Sequence, residues 1–219
     1  MIGKGKSISH GVAALEYDLA KEIDGQAAAT EIARHELYGC TGAEMVQEMK
    51  PYFTDFPNVK NNCLRFEVSP SIEESSSFTD ADWAELGNDF MQRMGLMNHQ
   101  YIIIRHSGTE SKKEQAHLHI LANRISLSGE LYRDNWIGKR ATEAANAIAK
   151  ERNFVQSQDI GKANKEEIKE AMNSVLKKMQ GFDLTKFQEE LGKLGFKIRE
   201  ARASTGKLNG YYVTARSGT

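Results

Sequence analysis

With 219 residues, 40% apolar and 27% charged, the chain is long enough to bury a real core and unlike collagen-like, low-complexity or disordered sequences. Its net charge of −1 gives no global basic field for a polyanion, and its two cysteines, Cys40 and Cys63, cannot staple a fold, which fits a reducing cytoplasm. No apolar run approaches the roughly 20 residues of a membrane span, and Met1 to Ser7 lacks the apolar stretch of a secretory signal.

From the start, Lys4 to His10 reads as a short strand leading into a helix over Gly11 to Ile23. Val12, Leu15, Leu19 and Ile23 recur there at helical spacing and form its predicted buried stripe. A stretch without clear period follows, then a helix over Ala43 to Tyr52. Cys63 to Ser69 alternates strictly and stops at Pro70, as a strand does. Thr79 to Asp82 has the residues of a helix start ahead of Trp83, Leu86, Phe90, Met91 and Met94. Gln100 to His106 and Ala116 to Ser126 read as two strands joined by a polar loop. Alanine-rich Ile137 to Phe154, with Lys150 and Arg152 in its last turn, reads as a helix.

The periodicity breaks between Val155 and Lys162. Beyond it Asn164 can cap one helix, carrying Ile168, Met172, Val175, Leu176 and Met179, and Asp183 another, carrying Leu184, Phe187, Leu191 and Leu194. Phe196 to Ala203 and Tyr211 to Ala215 read as a hairpin turning at Asn209-Gly210. The fold class expected is α/β of the α+β type, a central, largely antiparallel sheet with flanking helices over residues 1–154. A small helix-helix-hairpin appendage over 155–219 follows, and its end on Ser-Gly-Thr straight after a strand is the pattern of a chain cut from a longer protein.

Charge is uneven. Lys4, Lys6 and His10 open the chain without an acid, and from Lys193 onward six basic residues face one acid, Glu200. Both ends can therefore meet a polyanion, with Lys197, Arg199, Arg202 and Lys207 as phosphate contacts at the far end. Solvated surface lysines are the plainer alternative.

The chemistry concentrates in a histidine window. His117 and His119 flank Leu118 on a predicted strand, so both rings point to one face, and His106 ends the strand that pairs with it. Three convergent imidazoles can hold a metal and leave positions open for a substrate oxygen. A closed structural zinc site needs a fourth ligand, for which Cys63 is the nearby candidate. Ile120 and Leu121 after His119 do not supply the Asp-His of small-molecule hydrolases with a His-x-His-x-Asp-His motif.

Ala-His-Leu-His-Ile-Leu-Ala-Asn-Arg (116–124), after Tyr-Ile-Ile-Ile-Arg-His (101–106), resembles the histidine-hydrophobe-histidine motif of conjugative and mobilisation relaxases, HUH-type endonucleases of plasmids and integrative elements. The opening Met-Ile-Gly-Lys-Gly-Lys-Ser-Ile-Ser-His (1–10), Tyr17 on the following helix, Phe-Glu-Val-Ser-Pro (66–70) and Trp-Ile-Gly-Lys-Arg (136–140) are similar too. The likeness runs over about the first 154 residues, and 195–219 resembles the region after the nuclease in those proteins. The resemblance implies strand-specific nicking at a transfer origin, with a tyrosine becoming linked to the 5′-phosphate and a 3′-hydroxyl released. It implies single-stranded DNA as partner, accessory mobilisation proteins and a coupling protein, a cytoplasmic location and no membrane insertion. One departure stands out: many mobilisation relaxases have an Asp two residues after the first histidine, and Gly108 stands here. Either His106 is the ligand with a lengthened loop, or Glu110 or Glu114 replaces it.

Tyr17 matches the nucleophile by position. It lies off the predicted stripe, its helical neighbours Ala13, Ala14 and Ala20 are small, and Lys21 can favour its phenolate or touch phosphate. Glu67 shares a strand face with Arg65 and Ser69, and can orient a histidine, accept the phenolic proton or simply face solvent. Asn123, on the face of His117 and His119, can bond phosphate or a ligand; Ser69, Arg124, Lys4 and Lys6 are candidates for phosphate contacts. Imidazoles alone suit zinc, nickel or copper, whereas phosphoryl chemistry and the resemblance imply magnesium or manganese. Two other readings carry the same residues: a rolling-circle replication initiator, and an accessory DNA-binding protein whose metal is structural.

Overall fold

In the computed structural model residues 1–108 and 115–215 are described, so Glu110 and Glu114 lie outside the described residues. The chain divides into two units, Met1–Ser157 and Gln158–Thr219. The first runs β1 (Ile2–Ile8), α1 (Gly11–Leu19), β2 (Glu22–Ile23), β3 (Gln26–Ala27), β4 (Ala29–His35), α2 (Gly42–Met49) and β5 (Cys63–Ser69). It continues through α3 (Ile72–Ser75), α4 (Asp80–Met94), β6 (His99–His106), β7 (His117–Ser126) and α5 (Ile137–Glu151). Five strands form one sheet in the order β1-β5-β7-β6-β4, every neighbouring pair antiparallel. The class expected, α+β with a central antiparallel sheet, is the class observed.

Alternation along β5 and β7 gives the sheet two different faces. Leu64, Phe66, Val68, Leu118 and Ile120 point to one face, where Trp83, Leu86, Phe90 and Met94 of α4 and Ala141, Ala145 and Ile148 of α5 cover them. β1 approaches α5 closely because it carries glycine there: a Cβ on Gly3 would lie 2.5 Å from the Ala141 carbonyl oxygen. The other face packs Ile8, Cys63, Ile102, Ile104 and Leu121 against Leu15 of α1 and Met45, Val46 and Met49 of α2. The histidines lie on this second face.

α1 is shorter than the periodicity predicts. Asp24 and Gly25, at φ 53° and 74°, make a two-residue turn that pairs Ile23 with Gln26, so Ile23 belongs to a strand. Its buried face is Gly11, Ala14, Leu15 and Asp18, while Val12 is exposed. β4, at the sheet edge, has no periodic signal strong enough to read from sequence. Capping boxes at Thr41/Glu44, Ser71/Glu74 and Thr79/Asp82 start α2, α3 and α4.

The second unit consists of α6 (Ser157–Lys178), α7 (Leu184–Lys193) and the hairpin of β8 (Phe196–Arg202) and β9 (Leu208–Ala215). Its core is Val175, Phe187, Leu191 and Phe196. Asp183 caps α7 by accepting from the Lys186 amide. Two local expectations are corrected. Asn164 sits inside α6, which already starts at Ser157. The hairpin turns over 203–207, where the Ala203 amide donates to the Lys207 carbonyl and Gly206 takes φ 82°, so Asn209 and Gly210 belong to β9. Among the described residues no helix is long and apolar enough to cross a membrane.

Candidate metal centre

Register brings the three histidines together. His106 and His117 are direct partners across β6 and β7, and His119, opposite Ile104, projects to the same face as His117. Ring centroids lie 5.4 Å (106–117), 4.3 Å (106–119) and 4.9 Å (117–119) apart. One ring nitrogen from each falls within 4.8 Å of the other two, the only such group of metal-ligating side chains among the described residues.

Hydrogen bonds set which nitrogen of His106 and of His117 keeps its lone pair. His117 Nδ1 lies 3.0 Å from the Gln115 carbonyl oxygen, which can only accept, so Nδ1 carries the proton and Nε2 is free. That Nε2 is 3.1 Å from His119 Nε2, a separation two ligands of one ion at about 2.1 Å can adopt. His106 Nε2 donates to the Asp18 carbonyl oxygen at 2.7 Å, leaving its Nδ1 unprotonated. Burial, reinforced by neighbouring imidazoles, pushes His106 down to about 4 and His119 down to about 2, so both are neutral at pH 7. Three convergent imidazoles on a half-closed surface fit a divalent cation.

Asp18 is the residue that sequence reasoning missed. It is 1% exposed, and its carboxylate forms a fork with Arg65, Oδ2 accepting from Nε at 3.1 Å and Oδ1 from Nη2. The same Oδ1 is 3.7 Å from His119 Nδ1, and Arg65 Nη2 is 3.3 Å from that nitrogen. Burial pushes the Asp18 carboxyl above its ordinary range, and Arg65 offsets part of that rise. Its signal in the sequence was its place, three residues after Leu15, on the face that the glycine and alanine of α1 leave open.

Tyr17, next to Asp18, is 61% exposed, with Lys21 Nζ 5.8 Å from its ring centroid. Glu67 is the register partner of His119, but its carboxylate accepts from Lys4 Nζ at 2.9 Å, so the carboxylate facing His119 Nδ1 is that of Asp18. Lys4, Lys6, Arg65, Glu67 and His119 line a cavity of about 210 Å³ on this face. Ser69 is buried, and its hydroxyl accepts from the Gln115 side-chain amide at 3.3 Å. His10 is exposed at the start of α1.

Other candidates are committed elsewhere. Asn123 is fully buried, its amide donating to Gln100 Oε1 at 3.0 Å and its oxygen accepting from the Ile125 amide, so it is a core group and not a phosphate contact. Arg124 is held by Asp134 at 2.7 Å and by the carbonyls of Tyr132 and Asn61. Cys63 pairs with Asn123, four residues along β5 from the partner of His119 and thus roughly 13 Å along the strand, and burial pushes its thiol up to about 12. It is no fourth ligand. On the hairpin, Arg202 pairs with Glu200 at 2.6 Å, whereas Lys197, Arg199 and Lys207 are exposed and carry no ion pair among the described residues.

A family model described as "Relaxase: MobA/VirD2-like, nuclease domain" matches residues 17–154, a span that opens on Tyr17 and includes all three histidines. No curated protein matches. Among solved structures, a conjugative relaxase, TrwC, in complex with oriT DNA in a metal-bound form is similar at 11% identity and a TM-score of 0.39, over 94% of this chain and 74% of that one.

Proposed function

This chain belongs to the relaxases with a MobA/VirD2-like nuclease domain, and we propose that it nicks one DNA strand at a transfer origin by reversible transesterification through Tyr17. The observation that carries the reading is the convergence of His106, His117 and His119 beside the helix whose exposed Tyr17 immediately precedes Asp18. His106, His117 and His119 would hold a divalent ion, magnesium or manganese, which when bound supplies charge stabilisation at a phosphoryl oxygen. Tyr17 Oη attacks the scissile phosphorus, the bond to the 3′ oxygen breaks, and a 5′-phosphotyrosine and a free 3′-hydroxyl result. A phosphodiester is exchanged for a phosphodiester, so the step can run backwards and reseal a strand.

The substrate is single-stranded or locally melted DNA, whose backbone the lysines lining the cavity beside His119 can track. Lys4, Lys6 and Lys21 are suited to phosphates near the reacting one, and the exposed Lys197, Arg199 and Lys207 of the second unit to DNA phosphates in general. Accessory mobilisation proteins and a coupling protein in the cytoplasm would deliver the substrate and receive the product. The test is to incubate the protein with a pool of random single-stranded oligonucleotides and manganese, then sequence DNA that stays attached after denaturation. A common sequence at the attached 5′ end supports the reading. Binding without any covalent capture, with or without metal, would leave only a DNA-binding protein.

A further inference from the structure

Trp136 is 80% exposed, more than any other large apolar side chain among the described residues, and stands at the N-cap of α5 with φ 55°. N-caps favour Ser, Thr, Asp, Asn or Gly, and a bulky side chain at positive φ is strained. The indole caps nothing, and no hydrogen bond or ring contact holds it among the described residues. Neither burial nor capping offsets the strain, and strain of this kind clusters at functional positions. The backbone beneath the ring is fixed. The Ile137 amide donates to the Asp134 carbonyl at 3.1 Å, the Arg140 amide to the Trp136 carbonyl at 3.0 Å, and the Arg140 guanidinium to the Arg133 carbonyl at 2.8 Å. An exposed aromatic face is thus presented from a rigid base.

That face stands near the candidate metal centre. A Cβ on Gly138 would lie 3.3 Å from the Gly5 carbonyl oxygen, so the first turn of α5 rests on edge strand β1 at Gly5. Gly5 also lines the cavity beside His119, together with Lys4 and Lys6. A strand leaving that cavity across the sheet edge therefore passes the first turn of α5. The approach is basic. Arg133 and Lys6 are exposed without an ion pair among the described residues, and Asp134, the one acid from 132 to 140, is taken by Arg124 at 2.7 Å. Lys139 is exposed too, with Glu143 at 3.7 Å. A protein-docking patch would extend the apolar surface, whereas the exposed chain neighbours of this indole are Arg133, Asn135 and Lys139. Aromatic faces stack on any nucleobase while flanking cations meet the phosphates. We propose that Trp136 is a stacking platform for an unpaired base of the DNA strand bound at the nuclease site. The proposal rests on single-stranded DNA being the substrate.

The experiment uses the full chain, Trp136→Gly and Trp136→Phe, with two single-stranded probes. One is a thymidine homopolymer; the other is an abasic strand of the same length, which keeps the phosphates and lacks the bases. Glycine removes the ring and accepts φ 55°, so Trp136→Gly should melt at or above wild type. Stacking one base is worth about 5- to 150-fold in affinity. Trp136→Gly should lose that factor on the thymidine strand and nothing on the abasic one, and Trp136→Phe should recover most of it. Because Trp83 is 2% exposed, the thymidine strand should quench the exposed tryptophan emission of wild type and leave that of Trp136→Phe unchanged. Unchanged affinity of Trp136→Gly for the thymidine strand, while wild type still forms a covalent DNA adduct, would overturn the proposal alone and leave the ring to a protein partner. An equal loss on both strands would overturn it as well, tracing the effect to phosphate contacts. If Trp136→Gly fails to fold, the emission test decides, and wild-type emission unquenched at saturating thymidine strand would overturn the proposal. No binding of wild type to either strand would instead sink the single-stranded substrate, and this proposal with it.

Discussion

Replacing His106 by glutamine takes away an imidazole donor but keeps an amide N–H where Nε2 now donates to the Asp18 carbonyl. Alanine is the cruder change, because His106 is 2% exposed. Its loss would leave that buried carbonyl unpaired, at about 1–3 kcal/mol, and open a ring-sized cavity beside α1. Glutamine, closer in volume and polarity, should cost about 1.5 kcal/mol or less, a fall of roughly 3–6 °C in Tm for a unit of this size. The effect on metal should be larger. A four-ligand zinc site is worth about 10–16 kcal/mol at neutral pH, so each ligand accounts for roughly 3 kcal/mol, which is about 10²-fold in Kd. Calorimetric titration with manganese, alongside a circular-dichroism melt, separates the two effects. A folded His106→Gln protein that binds manganese as tightly as wild type would refute a ligand role for His106, and the donor would then be sought at Glu110 or Glu114.

Neutralising Lys197, Arg199 and Lys207 together should weaken oligonucleotide binding and lower the salt slope by about 2, at about 0.7 for each lost single-strand phosphate contact. Arg202→Ala alone, already paired with Glu200, should change it little; an unchanged slope in the triple variant would reduce the hairpin to a solvated surface. Metal-free protein should lose stability as pH falls from 7 to 5. His106 and His119 are held down to about 4 and about 2 in the fold but titrate near 6.5 when unfolded, so below that pH the unfolded chain binds more protons. A Tm that stays level from pH 7 to pH 5 would contradict the buried neutral state of these rings.

Strictly alternating elements were legible in the sequence: Cys63–Ser69, and the two strands that set His106 opposite His117. There a period of two fixes face and register together. β4 was not legible, because an edge strand with mixed partners lacks that alternation. The stripe of α1 was read one step off, as large apolar residues draw attention where Gly11 and Ala14 permit the close packing. That same step hid Asp18, since a buried aspartate looks like a surface residue until its arginine is found 47 positions away. Asn123 shows the converse. Its face was read correctly, but the depth of that face, sealed by Gln100 and Met49, is a tertiary fact.

The central claim is that Tyr17 attacks DNA, and Tyr17→Phe tests it most directly. The ring is 61% exposed and its hydroxyl has no hydrogen-bond partner among the described residues, so the change should move stability by no more than about 0.5 kcal/mol. Metal affinity and oligonucleotide binding should survive for the same reason. Wild-type protein incubated with its nick-site strand and manganese should yield a protein–oligonucleotide adduct on a denaturing gel, abolished by chelation and restored by adding metal back. Tyr17→Phe should yield none. An adduct that persists in Tyr17→Phe, or a clean nick by wild type with no adduct, would contradict the account.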